Sequence, residues 1–249
     1  DCSLRSLYLD RPQHNLTLHR PPSCCATRLR ISDVLWLLTV DRQMRRTSVI
    51  VTRKRMMVFV DGENLVRGYE RVLAARSHVE HGHKVHSPRN YIWVANPFQE
   101  FIIPFDVIRA SYYFSLVGND DVQRQASLEA LRECDLGSQT IGNQRMKLTP
   151  RIYQRPSGGE SSKRLDIEIC TDVLSNTYQD NFDVLLLVTG DEDFVPLVAE
   201  VQRSGKQVVI ASFQHGLSPQ LRQVADVFLP LEATMFLRPV NGDGDAVTS

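Results

Sequence analysis

From residue 56 onward the chain alternates between two patterns of apolar and polar positions. Short unbroken apolar runs, such as MMVFV (56–60) and VLLLV (184–188), are separated by stretches whose apolar residues recur every three or four positions. The first pattern marks buried strands and the second amphipathic helices. Strands are predicted over 56–60, 107–117, 146–155, 182–190, 207–213 and 226–232. Helices are predicted over 63–76, 121–134, 163–178, 193–205 and 218–225, with a short helix after the last strand. Ser162 is placed to cap the helix over 163–178, and Gly205 to close the one over 193–205.

Strands that alternate with helices pair in parallel, in a sheet covered on both faces. The fold class is therefore α/β: a three-layer α/β/α domain around a mainly parallel central sheet. VLLLV lacks half-buried alternation and belongs at the centre of such a sheet. Residues 77–104 interrupt the rhythm as a His-, Pro- and Asn-containing insertion, with a short strand at YIWVA (91–95). PSGGESS (156–162) reads as a loop, and no internal repeat is visible.

Charge refines this organisation. The formal net charge is +0, yet residues 1–55 hold 11 Lys/Arg against 4 Asp/Glu, and the remainder 18 against 25. The basic residues of 1–55 are scattered, without sustained periodicity, so this stretch reads as a poorly ordered extension more readily than as a nucleic-acid arm. The expected division is an extension over 1–55, a domain over 56–238 and a flexible C-terminal tail over 239–249. Cys2, Cys24, Cys25, Cys134 and Cys170 form neither a CxxC pair nor a zinc spacing, which points to a reducing compartment. ISDVLWLLTV (31–40) is too short to span a bilayer and contains Asp33. A cytoplasmic protein without a membrane partner is expected.

The candidate chemistry lies at strand ends, where open parallel sheets collect ligands. Asp61 directly follows VFV, and Asp191 follows VLLLVTG. Taken singly, each aspartate reads as a helix cap. If their strands are neighbours, the two carboxylates instead face one another. Asn64 lies three residues beyond Asp61, and Asp193 two beyond Asp191. In KRLDIEICTDVL, helical spacing puts Asp166, Cys170 and Val173 on one core-facing stripe, with Asp172 and Glu168 in solvent. A carboxylate facing the core needs a partner or a metal. Asp61, Asp166, Asp191 and Asp193 together make a hard oxygen set that selects Mg2+ or Mn2+ over zinc. That set suits phosphodiester hydrolysis, in which metals activate water and stabilise the leaving oxygen. Thr189 could add a hydroxyl, and Glu192 points away.

Around the loop before Asp166, Arg151, Arg155, Lys163 and Arg164 could grip phosphates, with Tyr153 available to stack on a base. SYYF (111–114) reads as core, Asp226 as support for a local turn, and His78, His81, His83 and His86 as a polar loop. There is no GxGxxG or Walker A loop, which argues against a dinucleotide enzyme or NTPase.

VFVDGENL, KRLDIEICTDVL, LLLVTGDEDFVPLVAEVQRSGKQVVI and LSPQLRQVADVFLPLE occur in that order, and together they resemble the NYN domain of the LabA-like branch, in the PIN-like nuclease superfamily. The likeness covers roughly 56–236 and is densest over 163–231; the leader and the 77–104 insertion do not match the family's core. It implies a PIN-like fold and a metal-dependent ribonuclease, with acids at Asp61, Asp166, Asp191 and Asp193 and the accompanying polar residue at Asn64. The expected partner is RNA, most readily single-stranded, with a homodimer left open. The competing reading is an NYN-fold RNA-binding or regulatory module without turnover. A phosphatase needs a D-x-D pair after the first strand, where this chain has DGEN.

Overall fold

The computed structural model describes residues 53–75, 78–80, 82–94, 97–102, 104–118, 120–141, 144–155 and 163–239. All fall within one unit, Thr52–Ser249. In chain order the elements are β1 (Arg55–Asp61), α1 (Gly62–Ala74), β2 (His78–Glu80), β3 (Lys84–Ser87), β4 (Tyr91–Val94), α2 (Gln99–Ile102), β5 (Asp106–Val117) and α3 (Asp121–Arg132). There follow β6 (Asp135–Ile141), β7 (Gln144–Lys147), β8 (Thr149–Arg155), α4 (Lys163–Tyr178), β9 (Val184–Val188), a 3-10 turn (Glu192–Phe194) and α5 (Val195–Arg203). The described residues end with β10 (Gln207–Ser212), a second 3-10 turn (Gln214–Gly216), α6 (Pro219–Val224), β11 (Val227–Pro230), α7 (Glu232–Met235) and β12 (Phe236–Pro239). Residues 1–52 of the expected extension, the loop 156–162 with Ser162, and all but one residue of the tail lie outside the described residues, whereas Arg55 already belongs to β1.

Six strands form the central sheet in the order β11-β10-β9-β1-β5-β8. Every neighbouring pair is parallel, as the strand–helix alternation requires. Alternate residues of the central strands feed two separate cores. Met56, Val58 and Val60 of β1 join Leu186 and Val188 of β9 under α1, which contributes Leu65, Val66, Tyr69 and Val72. Met57 and Phe59 join Leu185 and Leu187 on the other face, against Leu165, Ile169 and Val173 of α4 and Leu197, Val198 and Val201 of α5. The result is a three-layer α/β/α domain with a purely parallel central sheet. All five residues of β9 are buried, because helices cover both of its faces. Gly205 closes α5 at φ +79, with its N–H donating to the Gln202 carbonyl at 2.9 Å.

The structure differs from the sequence reading in several stretches, among them β12, a strand beyond the expected last one, which follows α7 and pairs with β2. Residues 77–104 supply core: Ile92, Trp93, Phe98 and Ile102 are buried against the sheet. The predicted strand 146–155 is split, since β7 pairs with β6 as a hairpin and only β8 enters the central sheet. The buried stripe of α4 runs through Leu165, Ile169, Val173 and Thr177. Asp166 and Cys170 therefore sit half-buried along its border. Asp172 is not simply solvated, because the Tyr113 hydroxyl donates to its Oδ2 at 2.6 Å.

Tyr112 ties the 77–104 segment to the sheet: its hydroxyl accepts from the Ile92 N–H and donates to the Ile92 carbonyl, both at 3.2 Å. Tyr112→Phe strands both buried backbone groups. It should destabilise the domain by about 1–3 kcal/mol in urea unfolding, and a change below about 0.5 kcal/mol would refute this anchor.

Candidate active site

Chain order locates the site. From β1 the chain moves outward to β5 and β8, then returns to the opposite side of β1 to lay down β9, β10 and β11. The order reverses between β1 and β9, which is where a parallel sheet opens a crevice at its carboxyl edge. Val60 of β1 lies level with Val188 of β9, so Asp61 and Thr189 emerge side by side.

Four hydrogen bonds join the two strand ends and the turn beyond them. Asp61 Oδ1 accepts from the Asn64 N–H at 3.0 Å, capping α1, while its Oδ2 accepts from the Thr189 hydroxyl at 3.1 Å. Asn64 Oδ1 accepts from the Gly190 N–H at 3.0 Å, and Thr189 Oγ1 from the Asp191 N–H at 3.3 Å. Asp61 and Thr189 are 4% and 1% exposed, so these bonds are shielded from water. Asp191 in turn caps the first 3-10 turn, its Oδ1 accepting from the Asp193 N–H at 3.1 Å. Both aspartates thus perform the capping role that each suggests alone, yet they also stand on adjacent strand ends. Glu192 and Asp193 are exposed.

Gly190 is required by close packing. A Cβ there would lie 2.1 Å from the Gly216 carbonyl oxygen and 2.6 Å from Ser212 Oγ. The Gly190 carbonyl also accepts from the Ser218 N–H at 2.9 Å, so the loop after β10 holds the acidic turn in place.

The acids feel one another. Burial pushes the Asp61 carboxyl up to about 7, with the Asp166 charge adding to it. The Asn64 amide, the Thr189 hydroxyl and Arg67 offset part of that rise. Burial also pushes Asp166 up to about 6, aided by the charges of Asp191, Asp193 and Glu63 and opposed by Arg67. The structure therefore brings Asp61, Asn64, Thr189 and Asp191 into one bonded network and sets Asp166 and Asp193 within electrostatic reach. Among the described residues, no group of three or more His, Cys, Asp or Glu is arranged to hold a metal ion. The His-containing segment accordingly forms no such group there, and His86 Nε2 instead lies 3.4 Å from Glu70.

Glu63 and Arg67 escaped the sequence reading. Glu63 is buried, accepts from the Ser115 hydroxyl, and holds Arg67 through its Oε2 at 3.2 Å; the Arg67 Nε donates to the Glu63 carbonyl at 3.0 Å. Their i,i+4 spacing was the available signal. The residues expected to grip phosphates are spread out. Lys163 and Arg164 are exposed at the start of α4, with Arg164 Nε 3.9 Å from Glu168 and its guanidinium 5.8 Å from the Tyr153 ring centre. Arg155 ends β8 with its Nε buried and unpartnered. Asp226 ties the segment before β11 to the start of β10, accepting from the Val208 N–H at 2.7 Å.

The family model of the NYN domain matches residues 55–232. This chain belongs to the NYN domain family. The family lies within the PIN-like nuclease superfamily, and the match runs through the 77–104 segment. An uncharacterised protein of Methanocaldococcus jannaschii is 28% identical over 71 residues, 28% of this chain and 30% of that protein. The chain thus matches under a third of the archaeal relative's length. A protein of unknown function from Vibrio parahaemolyticus, seen in a crystal structure, is 24% identical with a TM-score of 0.47, covering 74% of this chain and 96% of that one. Among the described residues of this NYN domain, no helix is long and apolar enough to cross a membrane.

Two outcomes follow from the geometry. Gly190→Ala should destabilise the domain by about 1–3 kcal/mol, since backbone at Gly216 must give way; unchanged urea unfolding would refute the tight packing. In chelator, the raised carboxyl of Asp61 makes the folded domain bind more protons than the unfolded chain does between the ordinary 3.8 and about 7. Stability must then fall as pH rises through that window and level off above it, by a few (about 2–4) kcal/mol. Asp61→Asn should flatten the fall; a variant with the wild-type pH profile of melting would exclude Asp61 as its source.

Proposed function

We propose that this NYN domain, read as one of the LabA-like branch, is a metal-dependent endoribonuclease acting on single-stranded RNA in the cytoplasm. The observation that carries the proposal is the Asp61–Thr189 and Asn64–Gly190 network at the β1/β9 reversal, faced by Asp166. PIN-like nucleases generally use divalent metals, and the donors here are oxygens alone, which suits Mg2+ or Mn2+. Asp61, Asp166 and Asp191 would hold the ion, with Asp193 as a further ligand or as support to one. The bound ion would supply an activated water and neutralise charge on the phosphate and the leaving oxygen.

The protein's own residues do the remaining work. Asp61 is already fixed by its two hydrogen bonds, so gathering a ligand set falls to the exposed Asp193 and the less buried Asp166 and Asp191. Asn64 spends its Oδ1 on Gly190 and keeps its Nδ2 to orient water or a phosphate oxygen. Thr189 steadies Asp61, and Lys163, Arg164 and Arg155 would serve the RNA backbone. Hydrolysis forms a bond from water oxygen to phosphorus, breaks the bond from phosphorus to O3′, and leaves 5′-phosphate and 3′-hydroxyl ends. A homodimer is compatible with this reading but not needed by it.

The lack of a ready-made metal group among the described residues favours, as the second reading, a domain that binds RNA without turnover. Labelled single-stranded RNA incubated with Mn2+, Mg2+ or EDTA separates the two. Cleavage should require metal, and Asp191→Asn should reduce it about 100-fold or more. Cleavage undiminished by EDTA, or equal in the variant, would sink the metal–carboxylate mechanism. Binding with no cleavage in either metal would establish the second reading.

A further inference from the structure

The helix that carries Asn64 also leads away from the acids. Asn64, Arg67, Arg71 and Ala75 follow at i, i+3, i+7 and i+11, so they share one side of α1 and its end. Arg67 and Arg71 are exposed there. At 1.5 Å per residue, Arg71 stands roughly 10 Å along the axis from Asn64.

Gly68 lies on the same side, and a Cβ there would come 2.5 Å from the Phe213 ring. This close approach seats the turn Gln214–Gly216 against the helix. One end of the turn, Gly216, packs on Gly190 of the acidic motif. The other end, Gln214 and His215, lines a cavity of about 450 Å³ together with Arg71, Val72, Ala75 and Glu232. That volume lies within the range of small-ligand sites, roughly 300–1,000 Å³. Glu232 fixes the turn, its Oε1 accepting from the Gln214 N–H at 2.7 Å.

The lining divides the work between two parts of a nucleotide. Val72, Ala75 and the imidazole of His215 suit a flat base, which can stack on a histidine ring. A carboxylate at Glu232 repels phosphate from the interior. Arg71, whose guanidinium has no ion-pair partner among the described residues, is left for a phosphate at the rim, whereas Glu63 already holds Arg67. We propose that this cavity is a nucleobase subsite. An RNA strand leaving the acidic cluster follows α1 past Arg67, which Glu63 holds, pairs a phosphate with Arg71, and sends one base in beside His215. The inference rests on the RNA-binding part of the reading above and gives the substrate a direction across the site.

Fluorescence anisotropy with a fluorescein-labelled single-stranded RNA dodecamer, in EDTA so that cleavage plays no part, tests it. Arg71→Ala should weaken binding and reduce the slope of log affinity against log salt by about 0.7, the value of one phosphate contact on a single strand. Arg71→Lys, which keeps the charge, should recover the slope. Ala75→Trp fills the cavity without altering charge; it should weaken binding about fivefold or more and leave the slope alone. Thermal unfolding of each variant checks that the fold is kept. A wild-type slope in Arg71→Ala, wild-type affinity in Ala75→Trp, or no RNA binding by the unaltered protein would each overturn the subsite. RNA binding that depends on Arg71 and Ala75 in a protein that never cleaves would preserve the subsite and remove the hydrolase. Metal-dependent cleavage with unchanged binding in both variants would do the reverse.

Discussion

The pair of hydrogen bonds that ties the end of β1 to the end of β9 is the constraint on which the rest of this molecule depends. Asp61 reaches across to Thr189, and Asn64 reaches across to Gly190. Neither bond exists unless the two strands are parallel neighbours with Val60 level with Val188. That pairing requires a chain that lays down β5 and β8 on one side of β1 and then returns to the other. Topology thus creates the crevice, and two short polar side chains close it into a fixed arrangement.

The arrangement has an electrostatic cost that shapes everything near it. A carboxylate as buried as Asp61, with Asp166 in range, resists ionisation, and Asp166 is raised in turn by its own burial and then by Asp191, Asp193 and Glu63. Desolvation and like charge act in the same direction, so the cluster is disposed to take up protons or cations. Arg67 is the cation that opposes both rises. It is fixed by Glu63, whose other oxygen accepts from Ser115 on β5. The chain Ser115–Glu63–Arg67 therefore places a positive charge beside the acids from β5, the strand next to β1, and α1 links that charge to the cavity near His215.

Much of this was legible in the sequence. The two periods of hydrophobicity located the six central strands closely enough to imply a covered parallel sheet, because burial on both faces demands unbroken apolar runs. The positions of Asp61 and Asp191 directly after such runs pointed to the carboxyl edge. Of the 77–104 segment only the strand at 91–94 was legible; its other strands are three or four residues long, and its buried residues, such as Ile92 and Phe98, gain their surroundings from distant partners. The split between β7 and β8 was hidden for a related reason: both halves look like strand, and only the pairing partner distinguishes a hairpin from the sheet.

Local chemistry, then, determined what could be read directly: strand and helix periods, caps at Asp61 and Asp191, the closing Gly205, and an oxygen-only set of acids. These depend on neighbours a few residues apart, which a sequence displays. Tertiary structure decided that Thr189 and Asn64 serve as cross-links, that Asp166 borders the core stripe while Leu165 and Ile169 occupy it, that Glu63 is buried against Ser115, and that Arg71 meets His215 across a cavity. Each of those depends on which strand lies beside which and on how far a helix rotates over the sheet. Such choices are settled by packing the whole core at once.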